Sequence, residues 1–253
     1  MIALIGNLSR DELPGRPPQV GGGSYHGARA LHRLRVPARV LARCAVADRE
    51  MLLPPLVRLG TPVRYVPGAA TAAFSFHYEG DRRVMRVEAL GDVWSPADLP
   101  ALPTVRWAHV APLARGEFPL ETLAALARRC RVSLDGQGLV RAPTLGPLQL
   151  DDDFDRDLLR HVWILKLADE EAEALGDPGA LGVREVVVTH GSRGATLYLR
   201  GHTEQIPARP MDGDPTGSGD AFATAYVVAR NAGFAPAGAA RRATAVVASL
   251  LNG

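Results

Sequence analysis

The sequence predicts an α/β fold in which helices cover both faces of a mostly parallel sheet. From about residue 105 onward, strand patterns and helix patterns alternate, as repeated βα units do. Residues 2–6 (IALIG) are wholly apolar, which is typical of a strand buried on both faces. Residues 71–90 instead show a two-residue periodicity, which predicts a separate β-hairpin. We expect a single domain over 1–253.

Composition narrows the class of protein. The 253 residues are 47% hydrophobic and carry a formal net charge of +2, which excludes disorder of the whole chain and gives no reason to expect a nucleic-acid partner. No apolar run approaches the roughly 18 residues that a membrane span needs. The first residues read as a strand rather than a signal peptide. We therefore expect a cytoplasmic protein with no membrane partner.

The numbers of cysteines and lysines exclude two kinds of binding site. The two cysteines, Cys44 and Cys130, form neither a disulfide framework nor a CxxC metal motif. Lys166 is the single lysine of the chain, so a P-loop of the form GxxxxGK[ST] is absent. Any phosphate chemistry must therefore use another scaffold.

Apolar periodicity places the remaining elements in order along the chain. Further strands are predicted at 38–46, 62–66, 105–110, 131–134, 162–166 and 184–189, with a short hairpin over 194–204. Helices are predicted after Gly21-Gly22-Gly23 and at 48–59, 119–129, 153–160, 169–176, 219–231 and 236–251. Right-handed crossovers would bring the loops after the strands to one edge of the sheet, where such folds bind ligands.

The hairpin at 71–90 is the predicted lid. Phe74, Phe76 and Tyr78 alternate with small or polar residues, and Glu79-Gly80-Asp81 makes a turn before the second strand. One face of such a hairpin can lie against a ligand. We expect a small β lid formed mainly by 71–90, with a contribution from about 11–20.

The segment Asp212–Asp220 (DGDPTGSGD) carries the clearest chemical signal. Its small residues at 217–219 let the backbone turn tightly and direct several N–H groups to one point. The helix that follows adds its positive end, which suits a phosphoryl group. Asp220 at that end could accept a proton from a hydroxyl. The alternative is a glycine-rich turn with Asp220 as an ordinary helix acid.

This segment resembles the signature of the ribokinase-like (PfkB-type) carbohydrate kinases, D-T-x-G-A-G-D before a helix. It reads DPTGSGD here, with Pro215 in place of the threonine and Ser218 in place of the alanine. The resemblance implies that Asp220 is the catalytic base and that the backbone of Gly217, Ser218 and Gly219 forms the anion hole.

The same signature implies a cation in some members of the family. Asp214 and Thr216 match positions that help to form a monovalent cation site, which would hold K⁺.

Matches on the substrate side lie in two other segments and at Asp11, which stands shortly after the first strand where the family commonly has an acid that binds sugar hydroxyls. The run GGGSYHGARAL (21–31) is similar to the family's sugar-binding G-G-x-x-x-N-x-A segment, with His26 in place of the asparagine. The segment DGQGLVR (135–141) resembles a D-x-x-G-x-x-R stretch of some members, including plant inositol kinases. The resemblance implies a substrate site formed by Asp11, Gly22, Gly23, His26 and Arg141.

Each of these matches has a structural alternative. The glycine run can be a flexible loop, and His26 can be a hydrogen-bonded structural histidine. Asp135 and Arg141 can form a structural ion pair.

Matches on the nucleotide side lie further along the chain. LKLADEEAEAL (165–175) resembles the N-x-x-E region, in which Ala168 replaces the asparagine and Glu171 keeps the acid tied to magnesium. Glu171 can alternatively be a solvated helix acid. VVVTHGSRGATLY (186–198) is similar to the nucleotide-side strand and turn, and the ATP-contacting residues implied are Thr189, Gly191 and Gly194.

Together these segments imply a three-layer α/β/α kinase that moves the γ-phosphoryl of ATP, with Mg²⁺, to a hydroxyl of a small sugar or polyol. His26 and 135–141 set the chain apart from ordinary ribokinases and fructokinases, and favour an inositol-like or unusual sugar substrate. The family's lid strands often pair between subunits, so a homodimer through the lid is also implied.

Two alternatives stay open. The first is a nucleoside kinase of the same fold. The second is a non-catalytic sugar or nucleotide sensor, because Ala168 and Pro215 depart from the family pattern and the chain is short for the family. The presence of Asp220 and of the complete small-residue loop favours the enzyme.

Overall fold

The structure is a computed structural model that describes residues 1–79, 82–209 and 215–252, and for residues 78, 79, 82 and 83 it describes the backbone alone. Its strands are β1 (Ile2–Asn7), β2 (Ser9–Glu12), β3 (Gln19–Gly21), β4 (Ala38–Ala45), β5 (Val63–Gly68), β6 (Ala72–Glu79), β7 (Arg82–Ala89), β8 (Trp107–Val110), β9 (Arg131–Asp135), β10 (Gly146–Pro147), β11 (Ile164–Ala168), β12 (Glu185–Thr189), β13 (Ala195–Leu199) and β14 (His202–Ile206). Its α-helices are α1 (Gly23–Leu34), α2 (Arg49–Val57), α3 (Leu120–Ala127), α4 (Gln137–Val140), α5 (Asp169–Leu175), α6 (Ser218–Asn231) and α7 (Pro236–Leu251).

The larger sheet has nine strands in the order β14-β13-β12-β11-β9-β8-β1-β4-β5. The strands from β12 to β5 run parallel to one another. The hairpin of β13 and β14 is antiparallel and extends one edge. The predicted mostly parallel sheet is confirmed, and each of its parallel strands is connected to the next along the chain through a crossover.

The two faces of this sheet bury separate cores. Ile2 and Leu4 of β1 pack into a core with α1, α6 and α7, whereas Ala3 and Ile5 pack into the opposite core with α3 and α5. Alternate residues of a strand point to opposite faces, so β1 contributes to both cores. The predicted three-layer α/β/α arrangement is confirmed.

A second sheet of five strands has the order β10-β7-β6-β2-β3. Strands β6 and β7 form the predicted hairpin, and β2 pairs parallel with β6. Phe74, Val87 and Leu113 pack together beneath it. Because β2 follows β1 after Leu8 alone, this sheet is attached directly to the carboxyl end of β1 in the large sheet. That it closes over a ligand remains a prediction.

The predicted helix at 153–160 is confirmed only in part, since it begins later and is a 3₁₀ helix. The segment is irregular until a 3₁₀ helix at Arg156–His161. The backbone N–H of Asp153 donates to the Asp151 carboxylate, and that of Asp157 donates to the Asp155 carboxylate, each at 2.9 Å. The Asp151 acceptor holds residues 151–153 in a turn, whereas Asp155 caps the start of the 3₁₀ helix.

Among the described residues, none of the helices combines the length and apolar character that crossing a bilayer requires.

The contact between α1 and α6 sets a stability prediction. A Cβ placed on Gly27 of α1 would lie 2.4 Å from Thr224 Oγ1 and 2.9 Å from Leu4 Cδ2. Overpacking of this kind costs about 1–3 kcal/mol, so Gly27→Ala should lower the free energy of unfolding by about that amount in a urea titration.

Gly238→Ala is the matched control, because a Cβ there meets nothing closer than 3.9 Å. Alanine exceeds glycine in helix propensity by up to about 1 kcal/mol, so this variant should be neutral or stabilising. Equal destabilisation by both substitutions would contradict the close packing of α1 on α6.

Candidate active site

A cavity of about 200 Å³ lies at the carboxyl edge of the central strands, with the second sheet on its other side. The ends of β9 and β11 and the first turns of α1 and α6 form its floor. The second sheet contributes side chains from β2, β6 and β7. The lining residues are Ser9, Asp11, Gly22, Gly23, His26, Phe74, Met85, Leu113, Gln137, Arg141, Lys166, Ala168, Glu170, Glu171 and Pro215 to Asp220.

Two helices begin at this cavity. Helix α1 begins at Gly23 and α6 begins at Ser218, and both residues line it. The first N–H groups of a helix have no partner inside the helix, and its dipole is positive at that end. The convergence of two such ends makes the cavity suited to an anion.

The turn into α6 depends on a glycine. Gly217 has a φ of 75°, in the left-handed region, and a Cβ there would lie 2.2 Å from Nδ1 of His26. Residues other than glycine are strained in this conformation and would also displace the imidazole. His26 is buried against the turn, so the residue at the position where the resemblance implies an asparagine packs its ring against Gly217.

Asp220 lies in the first turn of α6 and faces the cavity. Its Oδ1 is shielded from solvent and has no hydrogen-bond partner within the described part of the chain. A Cβ on Gly23 would lie 2.7 Å from this oxygen, so the starts of α1 and α6 approach closely here. Burial raises the pKa of the Asp220 carboxyl to about 7, and the nearby Asp135 carboxylate acts in the same direction. A carboxyl with a pKa near neutrality is suited to take up a proton.

A buried lysine lies under the anion-binding loop. Lys166 Nζ is 3.4 Å from Asp135 Oδ2 and 4.0 Å from Glu171 Oε2. A Cβ on Gly219 would lie 3.0 Å from the same nitrogen. Burial disfavours the charged ammonium, but the carboxylates of Asp135, Glu171 and Asp220 outweigh it and raise the pKa of Lys166 above its ordinary value. The ammonium therefore stays positive directly beneath the loop.

The two carboxylates that pair with Lys166 have pKa values shifted in opposite directions. Burial alone would raise the pKa of Asp135, but Lys166 and then His109 outweigh it and lower that pKa below the ordinary value. Burial raises the pKa of Glu171. Glu171 is 3% exposed and its Oε2 accepts the Ala168 N–H at 2.8 Å, so it is not the solvated helix acid considered as an alternative. Its link to magnesium remains a prediction.

The predicted substrate-side residues Asp11, Gly22, Gly23, His26 and Arg141 all line the cavity. Asp11 lies on β2, where its Oδ1 accepts the Ser9 hydroxyl at 2.7 Å. Arg141 follows α4, and its buried Nε makes no hydrogen bond to any residue that the structure describes. Among the described residues Asp135 pairs with Lys166 and not with Arg141, so the ion pair considered from sequence is not formed.

The predicted nucleotide residues lie outside this cavity. Thr189, Gly191 and Gly194 belong to the turn between β12 and β13, and none of them is among the lining residues. The turn is held to the start of α5 by Asp169, whose carboxylate pairs with His190 and, at 2.6 Å, with Arg193. Their contact with ATP remains a prediction.

The cation residues divide between described and undescribed parts of the chain. Thr216 lines the cavity, whereas Asp214 lies outside the described residues. The K⁺ site remains a prediction.

Lys166, Ser9 and Gln137 line the cavity without having been assigned to it from sequence. The sequence could have indicated a special role for Lys166, because it is the single lysine of an arginine-rich chain and stands in an otherwise apolar strand. Its carboxylate partners come from distant segments, which periodicity alone does not bring together.

Comparison with known proteins identifies the family. The model of the pfkB family carbohydrate kinases matches residues 66–251. The chain belongs to this family. It is 33% identical over 196 residues to an inositol 3-kinase of Zea mays, covering 74% of this chain and 49% of that protein. An inositol 3-kinase of Oryza sativa subsp. japonica is 33% identical over 187 residues, covering 65% of this chain and 46% of that protein. The chain thus spans about half the length of the curated relatives it matches.

Solved structures of the pfkB fold confirm the ribokinase-like architecture. A pyrophosphate-dependent kinase of the ribokinase family, complexed with a pyrophosphate analogue and myo-inositol, has a TM-score of 0.86 at 24% identity, covering 100% of this chain and 95% of that one. A nucleoside kinase of Burkholderia thailandensis in complex with inosine has a TM-score of 0.79 at 22% identity, covering 100% and 92%.

Lys166 provides the prediction for this site. Removal of one partner of a buried ion pair costs about 3–5 kcal/mol, because the other charge stays buried. Lys166→Met should therefore lower the free energy of unfolding by about that amount at pH 7, measured by denaturant titration. The defect should shrink as the pH falls, since Asp135 without the lysine takes up a proton more readily.

Lys166→Met/Asp135→Asn is the matched variant, since it removes both charges. It should recover most of the lost stability. A double variant as unstable as the single one would show that Lys166 acts by packing rather than by charge.

Proposed function

We propose that this pfkB family protein transfers a phosphoryl group to a hydroxyl of a small polyol, and that the polyol is inositol-like. The observation that carries the proposal is the position of Asp220, at the meeting point of two helix N-termini and beside an anion-binding turn. The relatives named inositol 3-kinase support the choice of substrate class.

The chemical step needs a proton acceptor and a cradle for negative charge. Asp220 accepts the proton of the attacking hydroxyl. The backbone N–H groups of Gly217, Ser218 and Gly219, at the start of α6, hold the charge on the transferred phosphoryl. Lys166 adds a fixed positive charge below this loop. Catalysis of this type consists mainly of positioning and electrostatic stabilisation.

The donor set of the cavity fits magnesium carried by phosphates. Within the described residues, no group of three or more His, Cys, Asp or Glu side chains is arranged to hold a metal ion by itself. Mg²⁺ on a phosphoryl donor needs only one or two protein carboxylates besides phosphate oxygens and water. Glu171, which lines the cavity, would hold the ion indirectly, and bound Mg²⁺ would neutralise charge on the donor phosphates.

The acceptor side combines a residue of the second sheet with residues of α1 and of the segment after α4. Asp11, His26 and Arg141 line the cavity together with Gly22 and Gly23. A carboxylate and a guanidinium offer both an acceptor and donors to a ring of hydroxyls. The sheet that carries Asp11 acts as the lid over the substrate and excludes water, which would otherwise compete as the nucleophile. Its paired strands are also the proposed contact in a homodimer.

ATP is the proposed donor, bound toward the turn after β12, and pyrophosphate is the second candidate. The turn residues Thr189, Gly191 and Gly194 do not line the cavity around Asp220, and a structural neighbour of the same fold is described as pyrophosphate-dependent. A nucleoside acceptor is the alternative substrate, since another neighbour binds inosine. Assays with ATP and pyrophosphate against inositols, sugars and nucleosides decide both questions.

The pH dependence of turnover tests the role of Asp220. The carboxylate must be ionised to accept a proton, and its pKa is about 7. The ratio kcat/KM for the best polyol should rise with pH up to about 7 and level off above it. Asp220→Asn should lower kcat by at least about 10²–10⁴, the contribution typical of a positioned base.

Asp153→Asn, at an exposed carboxylate outside the cavity, is the control and should leave the profile unchanged. Polyol-induced thermal shifts without turnover, equal in wild type and Asp220→Asn, would favour the non-catalytic sensor instead.

Asp11 tests the acceptor site. Asp11→Asn keeps the shape of the side chain but removes its charge and one acceptor, and a lost hydrogen bond to a charged group is worth about 1.5–3 kcal/mol. KM for the polyol should therefore rise roughly tenfold or more, with kcat changed much less. Steady-state kinetics with Asp48→Asn as the control separates the two effects. A normal KM in Asp11→Asn would remove this residue from the substrate site.

A further inference from the structure

A second concave site lies at the opposite edge of the large sheet. A groove of about 620 Å³ is formed where β8, β9, β11 and β12 begin. Arg106 precedes β8, Arg131 begins β9, Trp163 precedes β11 and Arg184 precedes β12. These strands have four or five residues, so at about 3.3 Å per residue the groove lies about 15 Å from the cavity around Asp220.

The groove is strongly basic. Its described lining contains His161 and no acidic residue. The whole chain has a formal net charge of only +2, so the residues outside the groove carry a net negative charge. The positive charge of the groove is therefore a local feature and not a consequence of the overall charge. Six exposed arginines line it: Arg106, Arg128, Arg129, Arg131, Arg160 and Arg184.

Most of the arginines in this groove have no carboxylate partner among the described residues. Arg160 pairs with Asp157 at 3.2 Å, and across the described residues none of the other five arginines has a carboxylate partner in an ion pair. Glu185 follows Arg184 directly, but its carboxylate is buried and accepts the Tyr226 hydroxyl at 2.8 Å and the Arg230 guanidinium at 2.7 Å. It is therefore neutralised inside the core.

Two of the guanidinium groups are held in place before any ligand arrives. Arg131 lies 4.4 Å and Arg184 lies 4.1 Å from the ring centroid of Trp163. The indole N–H of Trp163 donates to Glu185 Oε1 at 3.3 Å, which fixes the ring to the core. Cation–π contacts of this kind restrict the arginines, and a restricted side chain loses less entropy on binding.

We propose that this groove binds a compact anion with two or more linked phosphoryl groups. Guanidinium groups bind phosphate through paired hydrogen bonds, and the volume is within the range of small-molecule sites. Arg131 and Arg184 already cover the ring of Trp163, so a nucleotide base cannot stack on it. The site therefore binds the phosphate chain rather than a base. The chain can come from a free condensed phosphate or from a nucleotide. The proposal does not depend on the kinase activity proposed above.

Trp163 provides a readout that is separate from the active site. Trp94 and Trp107 are 0% and 1% exposed, whereas Trp163 is only partly buried and lines the groove. Its fluorescence should change saturably when inorganic tripolyphosphate is added to the full chain, and Trp163→Phe should abolish that change. Orthophosphate should bind at least tenfold more weakly.

Charge reversal in the groove supplies the decisive comparison. Arg106→Glu/Arg128→Glu should weaken tripolyphosphate binding at least tenfold, and the milder Arg106→Gln/Arg128→Gln serves if the reversed variant fails to fold. The matched control is Arg58→Glu/Arg200→Glu, two exposed arginines outside the groove, and its binding should match that of the wild type.

Comparison of the affinities of different phosphate ligands identifies the source of the phosphate chain. ATP binding as tightly as tripolyphosphate supports recognition of the phosphate chain alone, and tighter ATP binding supports a nucleotide as its source. The proposal fails if Trp163 gives no saturable signal or if the control pair weakens binding as much as the groove pair. It also fails if a single-stranded oligonucleotide binds much more tightly than tripolyphosphate, because the groove then serves a nucleic acid.

Discussion

The interaction on which the active-site floor depends is the buried pairing of Lys166 with Asp135 and Glu171. It joins the ends of β9 and β11 to the start of α5, beneath the loop that begins α6. Lys166 keeps Asp135 ionised by lowering its pKa, whereas burial, together with the Asp135 carboxylate, raises the pKa of Asp220 against the opposing effect of Lys166. The same charged cluster therefore lies beneath the turn into α6 and influences the proton affinity of Asp220.

Most of the central sheet could be predicted from sequence because its strands are apolar and alternate with helical segments. The small strands β2 and β3 could not be. They consist of four and three residues, and β2 pairs with β6, which is distant in sequence. Strand pairing over such a separation leaves no local periodicity. In the acidic run before β11 only the start of the helix was predicted wrongly, because the Asp151 carboxylate holds Asp153 in a turn and the 3₁₀ helix begins after its cap at Asp155.

In the candidate site, the segment around Asp220 could be predicted from sequence because the residues that form its turn are neighbours in the chain. Gly217, Ser218 and Gly219 are consecutive, and the helix that follows is strongly patterned. The support beneath that turn could not be placed, because it is assembled from residues far apart in the chain. The buried partner of Asp135 proved to be Lys166, from the neighbouring strand, rather than Arg141 from its own segment.

The cavity draws its floor and its roof from different sheets. Asp220, Lys166 and the small-residue loop lie at the ends of the large sheet and its helices, whereas Asp11, Phe74 and Met85 come from the smaller sheet. Side chains of the roof can therefore be exchanged without disturbing the charged floor. For the evolution of such a protein, this separation means that the cavity-lining side chains of the smaller sheet can change by substitution while the charged cluster at the ends of the large sheet is inherited intact.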